Sequence, residues 1–410
     1  KYFLMLYRII FGFITFFLAP IASSAQQVCE DGFFQINGFV TNEIKDKSIY
    51  ISYLNDNDIM VVDSAIVINN RFIFKGNIEN PVLVTICNNS QFNMDMESSA
   101  QIYLEAKNMD ITTDFFDFKN LVVQGSRTQE EYVRLTEIKK HTLDKRDSIS
   151  KLYTLYFDKL KNTKDTIVKS DLKRKIYNLD KLSEQNNDQE IILEFDFIRQ
   201  NPSSFISPYL LYSRLRGRGG IAYYGTIDSL YNEINEKVQN SVSGKRLLNE
   251  LSYYKNSRIG SISPHFEVKD VNNTLISLGS FRNEKYVLLD FWASWCAPCI
   301  DDFPFLKKVY ENYQGKGFEI ISISKDSNSE SWRKAITKHN IKMWKHFSIT
   351  DNIHNQKRKA EHSIEKEYFV TAIPVKVLIN KEGIIIGRWR GGGEENRDEL
   401  EKALKVIFNN

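Results

Sequence analysis

The segment Tyr286–Pro304, which reads YVLLDFWASWCAPCIDDFP, constrains the fold of this chain more than any other. Its apolar run from Tyr286 to Trp292 is long enough for one buried strand. Two cysteines with two residues between them, Cys296 and Cys299, follow that run, and apolar residues recur at helical spacing beyond them. The pattern predicts a strand that leads through a CxxC pair into a helix.

This order of elements suits a reactive thiol. The attacking species is the thiolate, and a free thiol with a pKa of about 8.5 is mostly protonated at neutral pH. The N-terminus of a helix carries about half a positive charge and unpaired N–H groups, which stabilise a thiolate. Pro298 fits the first helical turn, where its missing N–H costs nothing. We therefore predict that Cys296 and Cys299 form a redox pair. The alternative, half of a zinc site, needs a second pair of ligands, and Cys29 and Cys87 are too far apart in sequence to supply one.

Residues 263–410 resemble the thioredoxin-fold domain of the TlpA/ResA-like thiol–disulfide oxidoreductases. Three segments carry the resemblance in order and spacing: Pro264–Phe266, Leu288–Cys299 and Thr371–Ile379. The resemblance implies an enzyme whose CxxC pair alternates between dithiol and disulfide, with that redox-active disulfide in place of any other cofactor. It also implies an α/β thioredoxin fold for the C-terminal domain.

The resemblance gives roles to individual residues. Cys296 is expected to be the nucleophile and the exposed member of the pair, and Cys299 the buried resolving thiol. Asp290 corresponds to a buried carboxylate that accepts a proton when the deeper thiol attacks, with a pKa raised by burial. A strand-end Asp facing water is the alternative. Ile373-Pro374 corresponds to the loop whose cis peptide lies against the disulfide, since X-Pro is the bond at which cis is cheap.

Further residues are expected to contact the substrate. Trp295 offers a flat apolar surface beside the nucleophile, and Ala297 and Pro298 separate the two cysteines without the His that helps to make strong oxidants. Asp302 stands where ResA-like proteins commonly have Glu, and its side chain reaches less far. Pro304 removes a helical hydrogen bond and should kink the helix.

At 410 residues the chain exceeds one ordinary domain, and we expect a multidomain protein. Residues 26–125 contain short alternating runs between Asn, Asp and Gly clusters, which predicts an all-β antiparallel sandwich or barrel. They resemble a β-domain of unknown function found ahead of thioredoxin domains in some Gram-negative envelope proteins, and either a docking or an architectural role fits. Residues 126–258 predict a helical spacer region, with Arg214–Arg218 as a basic loop. The thioredoxin-like domain takes residues 259–410.

The first residues have the pattern of a secretory signal peptide. A basic start, an apolar middle and the small residues Ser23–Ala25 predict cleavage of residues 1–25. The apolar run is shorter than the roughly 20 residues of a membrane span. Cys29 suggests a lipid anchor, but the residues before it are not small. Cys29 and Cys87 are either a structural bridge or two unrelated thiols, because spacing alone cannot show proximity.

Together these features predict an exported protein of the periplasm or cell envelope of a Gram-negative bacterium. We expect it to reduce protein disulfides, including the CxxC pairs handled in cytochrome c maturation, with electrons from a membrane donor protein. A disulfide oxidase or isomerase is the alternative within redox chemistry, and a surface binding module on a thioredoxin scaffold is the alternative outside it. The net charge of +3 is nearly balanced and indicates no nucleic-acid partner. No metal site is expected, and a homo-oligomer stays open.

Overall fold

The computed structural model describes residues 32–408 with the exception of residues 45, 91–97, 218 and 351–362. The predicted signal peptide and Cys29 therefore lie outside the described residues. Along the described chain, a β-region is followed by a helical region and then by an α/β domain. The multidomain fold class predicted from the sequence is confirmed.

The part of the N-terminal region that the structure describes contains eight strands: β1 Phe33–Val40, β2 Ser48–Leu54, β3 Met60–Ile66, β4 Arg71–Asn77, β5 Val82–Cys87, β6 Ser99–Leu104, β7 Asn108–Thr113 and β8 Val122–Gln124. They make two four-stranded sheets, β4-β1-β7-β8 and β3-β2-β5-β6. Every second residue of β1 is buried, because side chains alternate along a strand, and both sheets contribute to one apolar core. The region is thus a sandwich. The expectation of a purely antiparallel arrangement was wrong, since β1 pairs with β7 in parallel.

Six α-helices follow: α1 Arg127–Asn162, α2 Thr166–Gln200, α3 Ser207–Arg216, α4 Tyr224–Glu233, α5 Glu236–Gln239 and α6 Val242–Ser257. The hydroxyl of Ser126 accepts a hydrogen bond from the N–H of Gln129 at 3.0 Å, which caps α1, and Asp165 caps α2 in the same way. Within the described chain, none of the helices has both the length and the apolar character needed to span a membrane.

The predicted basic loop at Arg214–Arg218 was wrong for its first residues, because Arg214 lies within α3. Its guanidinium pairs with two carboxylates of α2, at 2.5 Å from Glu194 and 3.0 Å from Glu190. Lys139 of α1 pairs with the same two carboxylates. Buried charges are tolerated in proteins when they are paired in this way, so this cluster ties α1, α2 and α3 together.

The described residues of the C-terminal domain form seven strands and four α-helices: β9 Glu267–Lys269, β10 Leu275–Ser277, β11 Tyr286–Trp292, α7 Ala297–Tyr313, β12 Phe318–Ser324, α8 Ser329–Lys338, β13 Lys345–Ser348, α9 Ile364–Glu367, β14 Val375–Ile379, β15 Ile385–Arg390 and α10 Glu394–Phe408. Strands β9 and β10 form a hairpin, and the other five form one sheet in the order β13-β12-β11-β14-β15. Strand β11 runs parallel to β12 and antiparallel to β14, which places the end of β11 near the centre of the sheet.

The two faces of this sheet belong to different apolar clusters. Val287, Leu289 and Phe291 of β11 pack on one face. Leu288 and Trp292 pack on the other face, together with α7, α8 and α10. Because side chains alternate along a strand, every position of β11 and β14 can be assigned to one of the two faces.

Candidate active site

Cys296 and Cys299 are joined by a disulfide at the N-terminus of α7, with their Cα atoms 5.3 Å apart. Cys296 is the N-cap residue, and its carbonyl oxygen accepts hydrogen bonds of 3.1 Å from the N–H groups of Cys299 and Ile300. Among the described residues no side chain caps this helix end. The partial positive charge of the helix terminus is therefore available to a thiolate at Cys296.

Both sulfurs are enclosed in this disulfide form. Cys296 is 5% exposed and Cys299 is 2% exposed, so the expectation that Cys296 is the exposed member was wrong here. The reason is packing, because both cysteines belong to the same cluster as Trp292 and Phe303. Trp295, in contrast, is 68% exposed. An approaching molecule meets this indole before it meets either sulfur.

The surroundings of the disulfide contain the other predicted contact residues. Ala297 and Pro298 are exposed at the start of α7. The Ile373-Pro374 peptide bond is cis, and Ile373 packs against the cluster that contains the two cysteines. The carbonyl oxygen of Pro374 accepts a hydrogen bond of 2.8 Å from the N–H of Gly391. This places the glycine loop that follows β15 beside the predicted substrate surface.

The same glycine loop also approaches the first turn of α7. A Cβ added at Gly392 would lie 3.1 Å from the carbonyl oxygen of Pro298 and 3.2 Å from its Cβ. These distances are shorter than most Cβ contacts, so a side chain at Gly392 would require the turn that carries the CxxC pair to shift by a few tenths of an ångström. Sequence reasoning did not find this contact, although three consecutive glycines are a signal for close backbone approach.

Asp290 lies on the face of β11 that carries the cysteines, between Leu288 and Trp292. It is 2% exposed, which excludes the alternative of an Asp that faces water. Burial raises the pKa of Asp290 to about 6, the charge of Lys376 lowers it, and the charge of Asp302 raises it. Its Oδ2 has no hydrogen-bond partner among the described residues. A carboxylate in this condition takes up a proton readily.

Asp302, which was predicted to contact substrate, is only 1% exposed, and both of its oxygens accept hydrogen bonds from other side chains. Its Oδ2 accepts a hydrogen bond of 2.6 Å from Nζ of Lys376, and its Oδ1 accepts one of 2.7 Å from Nε of Arg397. The short side chain meets a lysine that projects from β14 toward α7. The earlier assignment is therefore corrected to that of a buried ion-pair partner.

Another carboxylate that sequence reasoning missed holds the loop before Cys296. Asp326 accepts hydrogen bonds from the N–H of Ser294 at 2.9 Å and from the hydroxyls of Ser294 at 2.6 Å and Ser324 at 2.8 Å. These bonds fix the segment that joins β11 to α7. Nothing in the sequence near Asp326 marks it for this contact, whereas Lys376 could have been noticed as a charge inside the apolar strand VKVLI.

The remaining cysteine of the described chain is buried. The thiol of Cys87 donates a hydrogen bond of 3.1 Å to the carbonyl oxygen of Asn89, and burial raises its pKa. The suggested bridge to Cys29 stays a prediction. Within the described ranges no group of three or more His, Cys, Asp or Glu side chains could hold a metal ion.

Comparisons with known proteins identify the family of this chain. A thioredoxin-like family matches residues 283–385, and a domain of unknown function, DUF4369, matches residues 34–132. The thiol-disulfide oxidoreductase ResA of Bacillus thuringiensis subsp. konkukian is 31% identical over 149 residues, which are 36% of this chain and 78% of that protein. ResA of Bacillus subtilis is 28% identical over 127 residues, or 31% of this chain and 64% of its own length. The thioredoxin domain of a thiol-disulfide oxidoreductase from Bacteroides vulgatus is 28% identical, with 36% of this chain and 97% of that domain covered at a TM-score of 0.31. With its CxxC pair on a thioredoxin-like fold, this chain belongs to the family of the ResA thiol–disulfide oxidoreductases.

Proposed function

We propose that this protein is exported to the cell envelope and there reduces protein disulfides, including the CxxC pairs that must be reduced for cytochrome c maturation. The observation that carries the proposal is the buried Asp290 on the same sheet face as Cys296 and Cys299. With a pKa of about 6, this carboxyl is mostly ionised at pH 7 and can accept a proton. A dithiol that attacks a disulfide needs such an acceptor.

The reaction proceeds in two exchanges. The thiolate of Cys296 attacks one sulfur of the substrate disulfide, a mixed disulfide forms, and the displaced substrate thiolate takes a proton. Cys299 then loses its proton to Asp290 and attacks the sulfur of Cys296, which expels the second substrate thiolate. Two electrons have moved to the substrate, and the protein is left with the disulfide of the structure. A dithiol donor protein in the membrane restores the reduced pair.

Protein substrates fit the exposed surface around the disulfide. Trp295, Ala297 and Pro298 form its outer part, and Ile373 lies at the cis peptide. An exposed indole beside a buried sulfur provides apolar contact before exchange begins. This arrangement suits an extended polypeptide that carries a disulfide better than a small thiol.

The test is the reduction potential of the purified full chain. The protein is equilibrated in dithiothreitol and glutathione buffers, and free thiols at Cys296 and Cys299 are counted by alkylation and mass spectrometry. Variants C296S and C299S provide the baseline from the other cysteines. A potential near that of thioredoxin, about −270 mV, supports a reductase. A potential near −120 mV would reverse the direction in favour of an oxidase or isomerase. If the pair does not cycle at all, the binding-module alternative replaces the proposal.

A further inference from the structure

We propose that Lys376 is a positioning residue that governs proton uptake by Asp290 during the attack of Cys299. The inference rests on the proposed function, since it concerns the second exchange of the same site. Four observations support it: the position of Lys376 in the sheet, its distances to two carboxylates, the burial of Lys376 and both carboxylates, and the charges that surround Asp290.

Lys376 and Asp290 are direct neighbours across two antiparallel strands. Asp290 of β11 is the register partner of Lys376 of β14. On β14, Leu378 packs in the cluster of the two cysteines, whereas Val375 and Val377 pack on the opposite face. Alternation therefore places Lys376 on the face of Asp290 and of the disulfide.

The ammonium group lies between two carboxylates at unequal distances. Nζ of Lys376 is 2.6 Å from Oδ2 of Asp302 and 3.8 Å from Oδ1 of Asp290. Arg397 of α10 occupies the other oxygen of Asp302 at 2.7 Å. Asp302 is thus doubly paired, whereas Asp290 has one cation nearby and one oxygen without a partner among the described residues. Asp290 is the member of the group that can change its protonation.

The charges of Lys376, Arg397, Asp290 and Asp302 balance when Asp290 is ionised. Lys376 is 4% exposed and Asp302 is 1% exposed, so water screens their interactions little. With Asp290 ionised, two carboxylates face two cations. A proton from Cys299 removes the negative charge of Asp290 and leaves the buried Lys376 with Asp302 as its carboxylate partner, which it shares with Arg397, whose side chain is 31% exposed. Lys376 thus opposes protonation, and Asp302 favours it both through its own charge and by drawing Lys376 away.

The other strands of the sheet add no competing charge on this face. The partner of Asp290 on β12 is Ser322, and the partner of Ser322 on β13 is His346. Burial lowers the pKa of His346 to about 4, so this imidazole is neutral at the pH values near 6 at which Asp290 titrates. The charged groups that face Asp290 are accordingly Lys376 of β14 and Asp302 of α7, with Arg397 behind Asp302. Cys299 is the thiol on that face.

The experiment uses the reduced full chain and the chromogenic disulfide 5,5′-dithiobis(2-nitrobenzoate). Attack by Cys296 releases one nitrothiobenzoate, and attack by Cys299 on the mixed disulfide releases the second and leaves the protein disulfide. Stopped-flow absorbance resolves the two phases, and C299S identifies the first. The rate of the second phase is then measured against pH in wild type, K376M and D302N. The midpoint is the pH at which this rate is half of its maximum.

The two variants should move this midpoint in opposite directions. Loss of the cation in K376M should raise this midpoint by about one pH unit and slow the second phase about fivefold at pH 6. Loss of the anion in D302N should lower it. K376R keeps the charge and should restore the wild-type midpoint. K405M removes an exposed lysine of α10 as the matched control and should leave both phases unchanged.

The outcomes separate this inference from the function it rests on. If wild type shows no second phase, the proposed function fails. If wild type shows it and K376M and D302N keep the wild-type midpoint, or shift it in the same direction, the role of Lys376 is refuted while the oxidoreductase stands. A general loss of structure would slow the first phase as well. D302N provides an independent measurement should K376M not fold.

Discussion

The guanidinium of Arg390, at the end of β15, donates a hydrogen bond of 3.0 Å to the carbonyl oxygen of Gly217 in the helical region. A second bond of 3.2 Å runs to the carbonyl oxygen of Arg216, the last residue of α3. The C-terminal end of a helix carries partial negative charge, which favours a cation there. Because Gly391 follows directly and bonds to Pro374, this contact joins the helical region to the loop beside the disulfide.

R390M should loosen the contact between the helical region and the α/β domain. A hydrogen bond from a charged donor contributes about 1.5–3 kcal/mol, so the loss of both bonds should make opening at least tenfold more frequent. Trypsin reports this opening at Arg258, because the side chain of Arg258 is exposed after α6 whereas Ser257 before it is buried and must be released before the chain can enter a protease. We expect faster cleavage after Arg258 in R390M, with R199M on the surface of α2 as the control. Equal cleavage rates would show that Arg390 does not hold the two regions together.

D290N should make the C-terminal domain more stable above pH 6. The pKa of Asp290 is raised from 3.8 to about 6 in the folded protein, so the folded state binds this proton more tightly than the unfolded state. The stabilisation that this bound proton provides is therefore complete below about pH 4, and it is lost as the pH rises through 6. Asparagine does not ionise, and the free energy of unfolding of D290N relative to wild type should grow by about 2.5 kcal/mol between pH 4 and pH 7.

The measurement is denaturant unfolding of the oxidised full chain, followed by tryptophan fluorescence. All five tryptophans lie between residues 292 and 389, so the signal reports the C-terminal domain. D398N, on the exposed face of α10, is the matched control. Parallel pH curves for wild type and D290N would show that Asp290 is not held with a raised pKa.

W295A should impair protein substrates and spare small ones. The indole of Trp295 is 68% exposed and makes the apolar surface beside Cys296. Removal of an aromatic anchor from an interface commonly costs more than 1 kcal/mol, and kcat/KM for reduction of a protein disulfide should fall about tenfold. The first phase with the chromogenic disulfide should be unchanged, and W295F should recover much of the loss. An equal loss for both substrates would point to damage at Cys296 itself.

The parts of the site that sequence reasoning found are local. A strand, a helix start and two cysteines lie within Tyr286–Pro304, and periodicity and helix-end chemistry suffice to connect them. The sandwich and the helices were found from periodicity in the same way. Strand β7, with the polar sequence NMDITT, shows little of this apolar signal.

The features of the site that sequence reasoning missed depend on contacts between residues that are far apart in the sequence. Asp302 meets Lys376 across 74 positions and Arg397 across 95, and a single sequence contains no information about such pairings. Arg214 looked like part of a loop because glycines follow it, whereas two carboxylates of α2 hold it in a helix. Asp302 was assigned to substrate contact and Arg214 to a loop, and in both cases the fold supplied an ion-pair partner.

C299S should trap a substrate protein, whereas C296S should not. In C299S the thiolate of Cys296 still attacks a protein disulfide, but the resolving thiol is absent and the mixed disulfide persists. In C296S the remaining thiol at position 299 is deep in the cluster, 2% exposed in the native disulfide form, and cannot reach a protein disulfide. Incubation with a disulfide-bonded protein, quenching with acid and intact-mass analysis should give one adduct per chain for C299S, released by dithiothreitol. C87S tests the buried thiol and should trap nothing, because its redox pair is intact. An adduct on C296S instead of C299S would exchange the roles assigned to the two cysteines.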